Sequence, residues 1–349
     1  MRYDSMMPSK TYDLADAAAI FASAIPSTLA KNPNMRFDSA EDAAIFFARE
    51  LDFIKSETYD VQYPEFTALT LFPTTHEVDE GAETVTYYSY DKQGMAKIIS
   101  NYANDLPRVD VKGTPTTVPV KSVGDSYGYS IQEMRASRMA GKSLDVRKAD
   151  TARYQIERII NRIAWMGDKE SGLPGVLSEG NDIPVYILAQ GASGKTEWTE
   201  KTADECLADV KGILKQVSKT THGVEKPDTL ALPEETYIAL GTTRIHDTSV
   251  TLLKFLQDNL PGSIKEIVST PELNSNATDT NPYAKDDSTG KGVLLLYTKS
   301  EKKMAIEVPM PFLQHPAQNK NLEIEVPCEA RVVGAMIYYP LSAVIAVGV

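Results

Sequence analysis

Only two cysteines, Cys206 and Cys328, occur in 349 residues. They stand far apart and without metal-ligand spacing, which excludes a disulfide-stapled scaffold and a thiolate zinc site. Two buried free thiols in a reducing compartment are the expected state, and a single bridge between them is the alternative. Histidine is nearly as scarce: none of His76, His222, His246 and His315 has a His, Cys or carboxylate at a metal-binding offset. An excess of positive charge is missing too. Against 48 Asp and Glu there are 36 Lys and Arg, a net charge of −12. That excludes a chain whose main task is gripping phosphates, though not one that merely sits near DNA. No apolar run approaches the roughly 20 residues needed to span a bilayer. Ala17–Ala30 could mimic a secretory core, but Asp4, Asp13 and Asp16 precede it, where a signal peptide carries positive charge. An amphipathic helix of a soluble protein made in the cytoplasm is expected there.

What is present is a chain with 42% hydrophobic residues, enough for sizeable cores in two or three domains. Its longest regular pattern runs from Ser143 to Gly167. Ala149, Ala152, Ile156, Ile159 and Ile163 recur at alternating three- and four-residue steps, one stripe of a helix about 35 Å long at 1.5 Å per residue. Ser143 suits the N-cap, Asp145 the first turn and Gly167 a left-handed stop. Arg147, Lys148, Arg153, Arg158 and Arg162 lie largely off the stripe.

The first third reads as an arm. Tyr12–Ala24 and Ser39–Ser56 are expected as short helices around a polar turn, Lys31–Met35, and Tyr59–Pro73 is extended and proline-punctuated. From Glu83 to Val120 the pattern turns to strands: Thr84–Tyr88, Met95–Ser100 and Thr116–Val120. Asn101–Thr114 lies between the last two, rich in Asp, Asn, Pro and Gly. A long two-stranded excursion with few apolar anchors is poor at holding itself together in water. Tyr127–Ser130 reads as a strand and Ile131–Ala140 as a short helix; after the long helix, Gly167–Gly175 is a dense turn cluster. Ile183–Ser300 reads as a separate mixed domain. Its expected elements are strands at Val185–Leu188, Thr229–Leu232, Ile264–Val268 and Val293–Tyr297, and helices at Thr202–Val217, Glu234–Leu240 and Thr248–Asn259. Asn274–Gly290 is expected as an exposed, mobile polar loop. The tail is nearly all strand: Ala305–Val308, Leu322–Val326, Arg331–Tyr339 and Ala343–Val347.

Catalytic signatures are absent. Gly191-Ala192-Ser193-Gly194-Lys195-Thr196 follows a strand, but a phosphate-cradling loop needs a glycine where Ala189 stands. Glu197 and Glu200 then place carboxylates where phosphate charge would sit, so an ordinary glycine-rich loop is expected. Glu234/Glu235 and Asp286/Asp287 are sequence neighbours that would point apart on a helix or lie in a solvated loop, a poor acid/base pair. No Gly-x-Ser-x-Gly elbow or recognisable cysteine context occurs.

The order of parts carries more than any one of them. Tyr127–Leu177 (YGYSIQEMRASRMAGKSLDVRKADTARYQIERIINRIAWMGDKESGLPGVL) resembles the strand, short helix, spine helix and Gly-Asp…Gly turn of tailed-phage major capsid proteins of the Hong Kong 97 type, and of the related encapsulin shells. Val326–Val347 (VPCEARVVGAMIYYPLSAVIAV) is similar to that fold's closing strands, with Glu329, Arg331, Pro340 and Ala343 at matching steps. The resemblance implies an α+β Hong Kong 97-like capsid fold. Its parts would be an N-terminal arm at 1–73, an extended two-stranded loop region at 74–122 and a peripheral domain at 123–182 with spine helix 143–167. An axial domain at 183–300 and a strand-rich tail at 301–349 would complete it. It implies a structural protein of the virion, with no cofactor, metal or catalytic residue. Its partners would be itself, as pentamers and hexamers of an icosahedral shell around double-stranded DNA, scaffolding and portal proteins, and the packaged DNA by weak contact, with no membrane. Some members cross-link a lysine of the extended loop; Lys92, Lys97 and Lys112 sit there, and no cross-link is expected. The alternatives are an encapsulin-type compartment and, from another class, a nucleotide-binding enzyme using Gly191–Thr196.

Overall fold

The computed structural model describes residues 64–93, 98, 108–140, 147–259, 264–285, 287 and 289–349. The expected arm helices, the Met95–Ser100 strand and the Ser143 cap with Asp145 lie outside the described residues.

The long helix, α3 (Arg147–Met166), follows α1 (Ala68–Leu71) and α2 (Ile131–Ala140) in chain order. Its buried stripe is Ala152, Ile156, Ile160, Ile163 and Ala164. Ile159, expected inside, is 41% exposed, and Ile160 takes its place. From Ile156 a step of four keeps the stripe facing inward, whereas a step of three turns outward here. Gly167 stops the helix at φ +70°. The returning chain then closes it, because Val176 and Leu177 N–H donate to the Ala164 and Trp165 carbonyls at 2.8 and 2.7 Å. A Cβ on Gly175 would overlap the Gly167 amide nitrogen, so that crossing requires glycine.

A five-stranded sheet is the wall between two cores. It is built from β5 (Val185–Ile187), β6 (Thr229–Pro233), β7 (Glu266–Thr270), β8 (Val293–Tyr297) and β14 (Ala343–Val347), in the order β5-β14-β8-β6-β7. Successive side chains of a strand point to opposite faces. Val293, Leu295 and Tyr297 of β8 therefore join the core of the long helix, with Ala231, Ala343 and Ile345. Leu294, Leu296, Leu230, Leu232, Val344 and Ala346 face the other way, into a core with α4 (Ala203–Thr220), α5 (Glu234–Thr242) and α6 (Leu252–Asn259). Burial on both sides explains why β8 reads VLLLY with no alternation. A capping box starts α4: the Glu205 carboxylate accepts from Thr202 N–H at 2.9 Å while Thr202 Oγ1 accepts from Glu205 N–H at 3.4 Å.

On the far side of the long helix, β4 (Lys121–Ser130) pairs antiparallel with β12 (Glu323–Val332) over ten rungs. Val326, Cys328, Ala330 and Val332 are the buried, alternating residues of β12. The strands β10 (Met310–Gln314) and β11 (Gln318–Lys320) line its other edge. Arg331–Tyr339 was expected as one strand; Gly334, at φ +100°, breaks it, leaving Arg331 in β12 and starting β13 (Gly334–Ile337). A third sheet joins β1 (Thr74–Thr75), β9 (Met304–Glu307) and β13. Asn274–Gly290 is folded around a fully buried Asn281, whose amide nitrogen donates to Asn274 O at 3.0 Å and Lys291 O at 2.9 Å. Its polar composition serves internal hydrogen bonding as well as solvent.

Candidate assembly surface

The remaining strands, β2 (Thr84–Gln93) and β3 (Asp110–Pro119), pair only with each other, over ten rungs from Thr84↔Pro119 to Gln93↔Asp110. At about 3.4 Å per residue the ribbon is roughly 30 Å long. Only its root is buried: Val118 and Val120 meet Val333 and Met336, with Val85 and Tyr87 partly covered. Tyr87 sits edge-on to Tyr338 at 5.0 Å. Arg331 clamps the approach, its guanidinium donating to the Glu80 carbonyl and, at 2.8 Å, to the Ala82 carbonyl. Sequence reading placed Arg331 in a closing strand and missed this role, since the partner carbonyls lie some 250 positions away.

Beyond the root both faces are bare. Cross-strand partners share a face, so Tyr88 with Pro115, and Tyr90 with Gly113, line one side together. Tyr88, Tyr90 and Val111 are exposed, Tyr90 at 70%. Aromatic and β-branched residues stabilise a strand by packing against something, and within this chain nothing described packs there. Lys112 is exposed on the ribbon and Lys92 lies in β2, its side chain, like all of Lys97, outside the described residues.

The chain entering the ribbon is held firmly. Ala68, Leu71 and Phe72 are buried, and Phe72 packs on both Trp165 and Tyr297 at 5.1 Å. Tyr297 Oη donates to Leu71 O at 2.8 Å, and burial raises its pKa above the usual phenol range. Glu272, itself buried, accepts from Thr67 N–H at 2.9 Å, Thr67 Oγ1 at 2.8 Å, Asn161 Nδ2 at 3.1 Å and the Thr270 hydroxyl. Asn161 Oδ1 in turn accepts from Ala68 N–H at 3.1 Å. This network ties the entering segment to α3 and to the end of β7. A Glu in a Thr-Pro-Glu-Leu turn carries no signal of that in sequence.

The glycine-rich loop is already occupied. Ala192 N–H donates to Glu205 Oε1 at 2.7 Å, and Lys195 Nζ pairs with Glu200 at 3.2 Å. Backbone hydrogen bonds from Thr202 and then Ala192, with the Thr202 hydroxyl, hold the Glu205 carboxyl below its usual pKa. The amide and ammonium that would meet a phosphate face carboxylates instead. Beneath it, Lys201 and Asp209 form a buried ion pair at 2.5 Å, with Trp198 Nε1 also donating to Asp209 at 3.0 Å. The histidines are dispersed: His76 Nδ1 lies 2.6 Å from Val308 O, His246 and Asp247 form an exposed pair at 2.9 Å, His222 adopts φ +52°, and His315 pairs with Glu329 at 2.7 Å. Among the described residues no three His, Cys, Asp or Glu could hold a metal, and no helix is long and apolar enough to cross a membrane. Both cysteines are free and buried, with burial pushing the Cys206 thiol up to about 12.

The whole arrangement has counterparts among solved structures. The capsid of Myoviridae phage XM1 superposes with a TM-score of 0.71 at 16% identity, covering 87% of this chain and 99% of that one. The capsid of a native GTA particle gives 0.59 at 12% identity, over 89% and 99%. A virus-like particle from Pyrococcus furiosus gives 0.50 at 14%, over 80% and 91%. These likenesses identify the fold as the Hong Kong 97-type capsid fold. No curated protein sequence matches the chain. The family described as "Major capsid protein" matches residues 94–349, nearly all of the described fold, and the chain belongs to that major capsid protein family.

Proposed function

We propose that the chain is the shell-building subunit of a tailed phage or prophage, self-assembling into pentamers and hexamers of an icosahedral shell around double-stranded DNA. The observation that carries the reading is the ten-rung β2–β3 ribbon, anchored at its root and bare on both faces beyond Tyr87. A lone two-stranded ribbon is marginal in water, and covering by a neighbouring subunit removes that weakness. Covering ribbon and arm together would pass about 2,000 Å², the scale of permanent assemblies.

In this reading the residues 74–122 are the extended loop lying over an adjacent subunit, and 1–73 the arm that wraps neighbouring chains. Residues 123–182 form the peripheral domain around the spine helix, residues 183–300 the axial domain, and the tail 301–349 completes both. Mature chains sit in the virion after synthesis in the host cytoplasm, with scaffolding and portal proteins as further partners. DNA contact is weak, in keeping with the net charge of −12. The role is structural, without catalysis and without a cross-link through Lys92, Lys97 or Lys112.

Negative-stain microscopy of the purified chain tests this. Hexameric or pentameric capsomers, or closed shells, are expected; a strictly monomeric species at high concentration overturns the proposal. Nucleic acid inside particles from the native host separates a capsid from a protein-filled compartment. Deleting residues 101–114 is expected to leave a folded subunit that no longer closes shells, and unchanged particles would count against the assignment of the extended loop.

A further inference from the structure

The helix α2 has no buried residue along Ile131–Met139. Its start is fixed by a capping box, with Ser130 N–H donating to Glu133 Oε2 at 3.0 Å and Glu133 N–H donating to Ser130 Oγ at 3.1 Å. Lys148, 3.4 Å from Glu133 and 2.9 Å from Gly128 O, braces that first turn. Met134 is half-buried, Met139 is 93% exposed, and Arg135 and Arg138 are exposed without an ion pair to any described residue. Ten residues are too few for a stable helix without packing, and along Ile131–Met139 the described residues leave every side chain at least partly exposed.

A surface that matches it lies elsewhere on the same chain. His76–Glu80, with Pro309 and Pro311, line an open groove of about 560 Å³. Glu77, Asp79 and Glu80 are exposed at its rim, and the two prolines and Val78 give it an apolar floor. Charge and apolarity are thus paired on both sides: two arginines with methionines, three carboxylates with prolines.

The two surfaces cannot meet within one subunit, because the β4–β12 ribbon holds them apart. The first residue of α2 is fixed at one end, Ile131 N–H donating to Leu322 O at 2.9 Å. The groove segment is fixed at the other, where Arg331 holds the Glu80 and Ala82 carbonyls. The nine residue steps from Leu322 to Arg331 span about 30 Å. A sticky end and its complement at opposite ends of a rigid bar make a head-to-tail contact between copies, which closes into a ring when the rotation per step allows.

We propose that α2 of one subunit docks in the His76–Glu80/Pro309–Pro311 groove of the next, with Arg135 and Arg138 against Glu77 and Glu80. This rests on the shell-building reading and adds the residues that set the order of subunits around a capsomer.

Charge reversal tests it. Arg135→Glu/Arg138→Glu and Glu77→Lys/Glu80→Lys are made separately and then together; Asp79 is spared because its carboxylate caps the Gly81 amide at 2.8 Å. Circular dichroism confirms that each variant folds, and light scattering with negative-stain microscopy counts assembled subunits. Each double variant is expected to lose at least tenfold in assembled fraction, and the quadruple variant to recover most of it, since the pairs are swapped rather than removed. Double variants that assemble like the parent, or a quadruple variant no better than the doubles, overturn the docking while the parent's shells still uphold the shell-building reading. A parent chain that stays monomeric overturns both.

Discussion

The β8 strand and the β2 strand are both β-formers, yet they live in opposite surroundings. All five residues of β8 are buried, and its two faces feed two different cores. In β2 no residue with a described side chain is buried, and its aromatic face has no cover among the described residues. The first is completed by its own subunit, and in the proposed reading the second is completed by a neighbouring one. Stability of the subunit and competence to assemble are therefore carried by different strands, and substitutions should separate them.

The largest effect on stability is expected at the shared wall. Leu295→Ala removes a buried side chain between β6 and β14 and should cost about 2–5 kcal/mol in denaturant unfolding of the unassembled subunit. Next is Glu272→Ala, which strips the acceptor from Thr67, Asn161 and Thr270. Buried donors left unsatisfied cost about 1–3 kcal/mol in total stability, and limited proteolysis should open the segment near Thr67 first. A pH-dependent loss is expected from Cys206. Its thiol titrates at 9.0 when unperturbed and near 12 in the fold, so the native state holds the proton longer than the unfolded chain. The unfolded state then binds fewer protons, and stability falls as pH rises from about 9 towards 12. In the native protein both thiols should resist a thiol reagent at pH 8. The smallest effect on stability belongs to Tyr88→Ser/Tyr90→Ser, within about 0.5 kcal/mol for exposed sites. That same variant should lose most of its shell formation, and equal losses of stability and assembly would erase the distinction between the two strands.

How much of this was readable from sequence follows the same divide. Elements with a clear local sequence signal were found to the residue: Ile131–Ala140, Val293–Tyr297 and Ala343–Val347. A strand buried on both faces announces itself as a continuous apolar run, and α4 announced itself by its apolar face. Failures came where long-range contacts decide. Ile159 and Ile160 are equally apolar neighbours, and only the position of the sheet chooses between them. The β4 strand was read as four residues because Lys121–Ser126 is polar; its pairing with β12 supplies the strand through backbone hydrogen bonds. Glu272, Asn161 and Asn281 look like surface residues in sequence, and their partners come from distant segments. For the candidate surface, sparse apolar anchors marked the excursion as poorly covered, whereas the Arg331 clamp and the exposure of α2 left no local trace.

Hydrogen exchange measured on free subunits and on assembled shells tests the central claim most directly. The amides of Val293–Tyr297 should exchange slowly in both states, since their cover comes from the same chain. The amides of Tyr88–Tyr90 and Val111–Thr114 should exchange quickly in the free subunit and slow by about a hundredfold or more in the shell, as local opening becomes coupled to dissociation. Ribbon amides that exchange at the same rate before and after assembly would contradict the account.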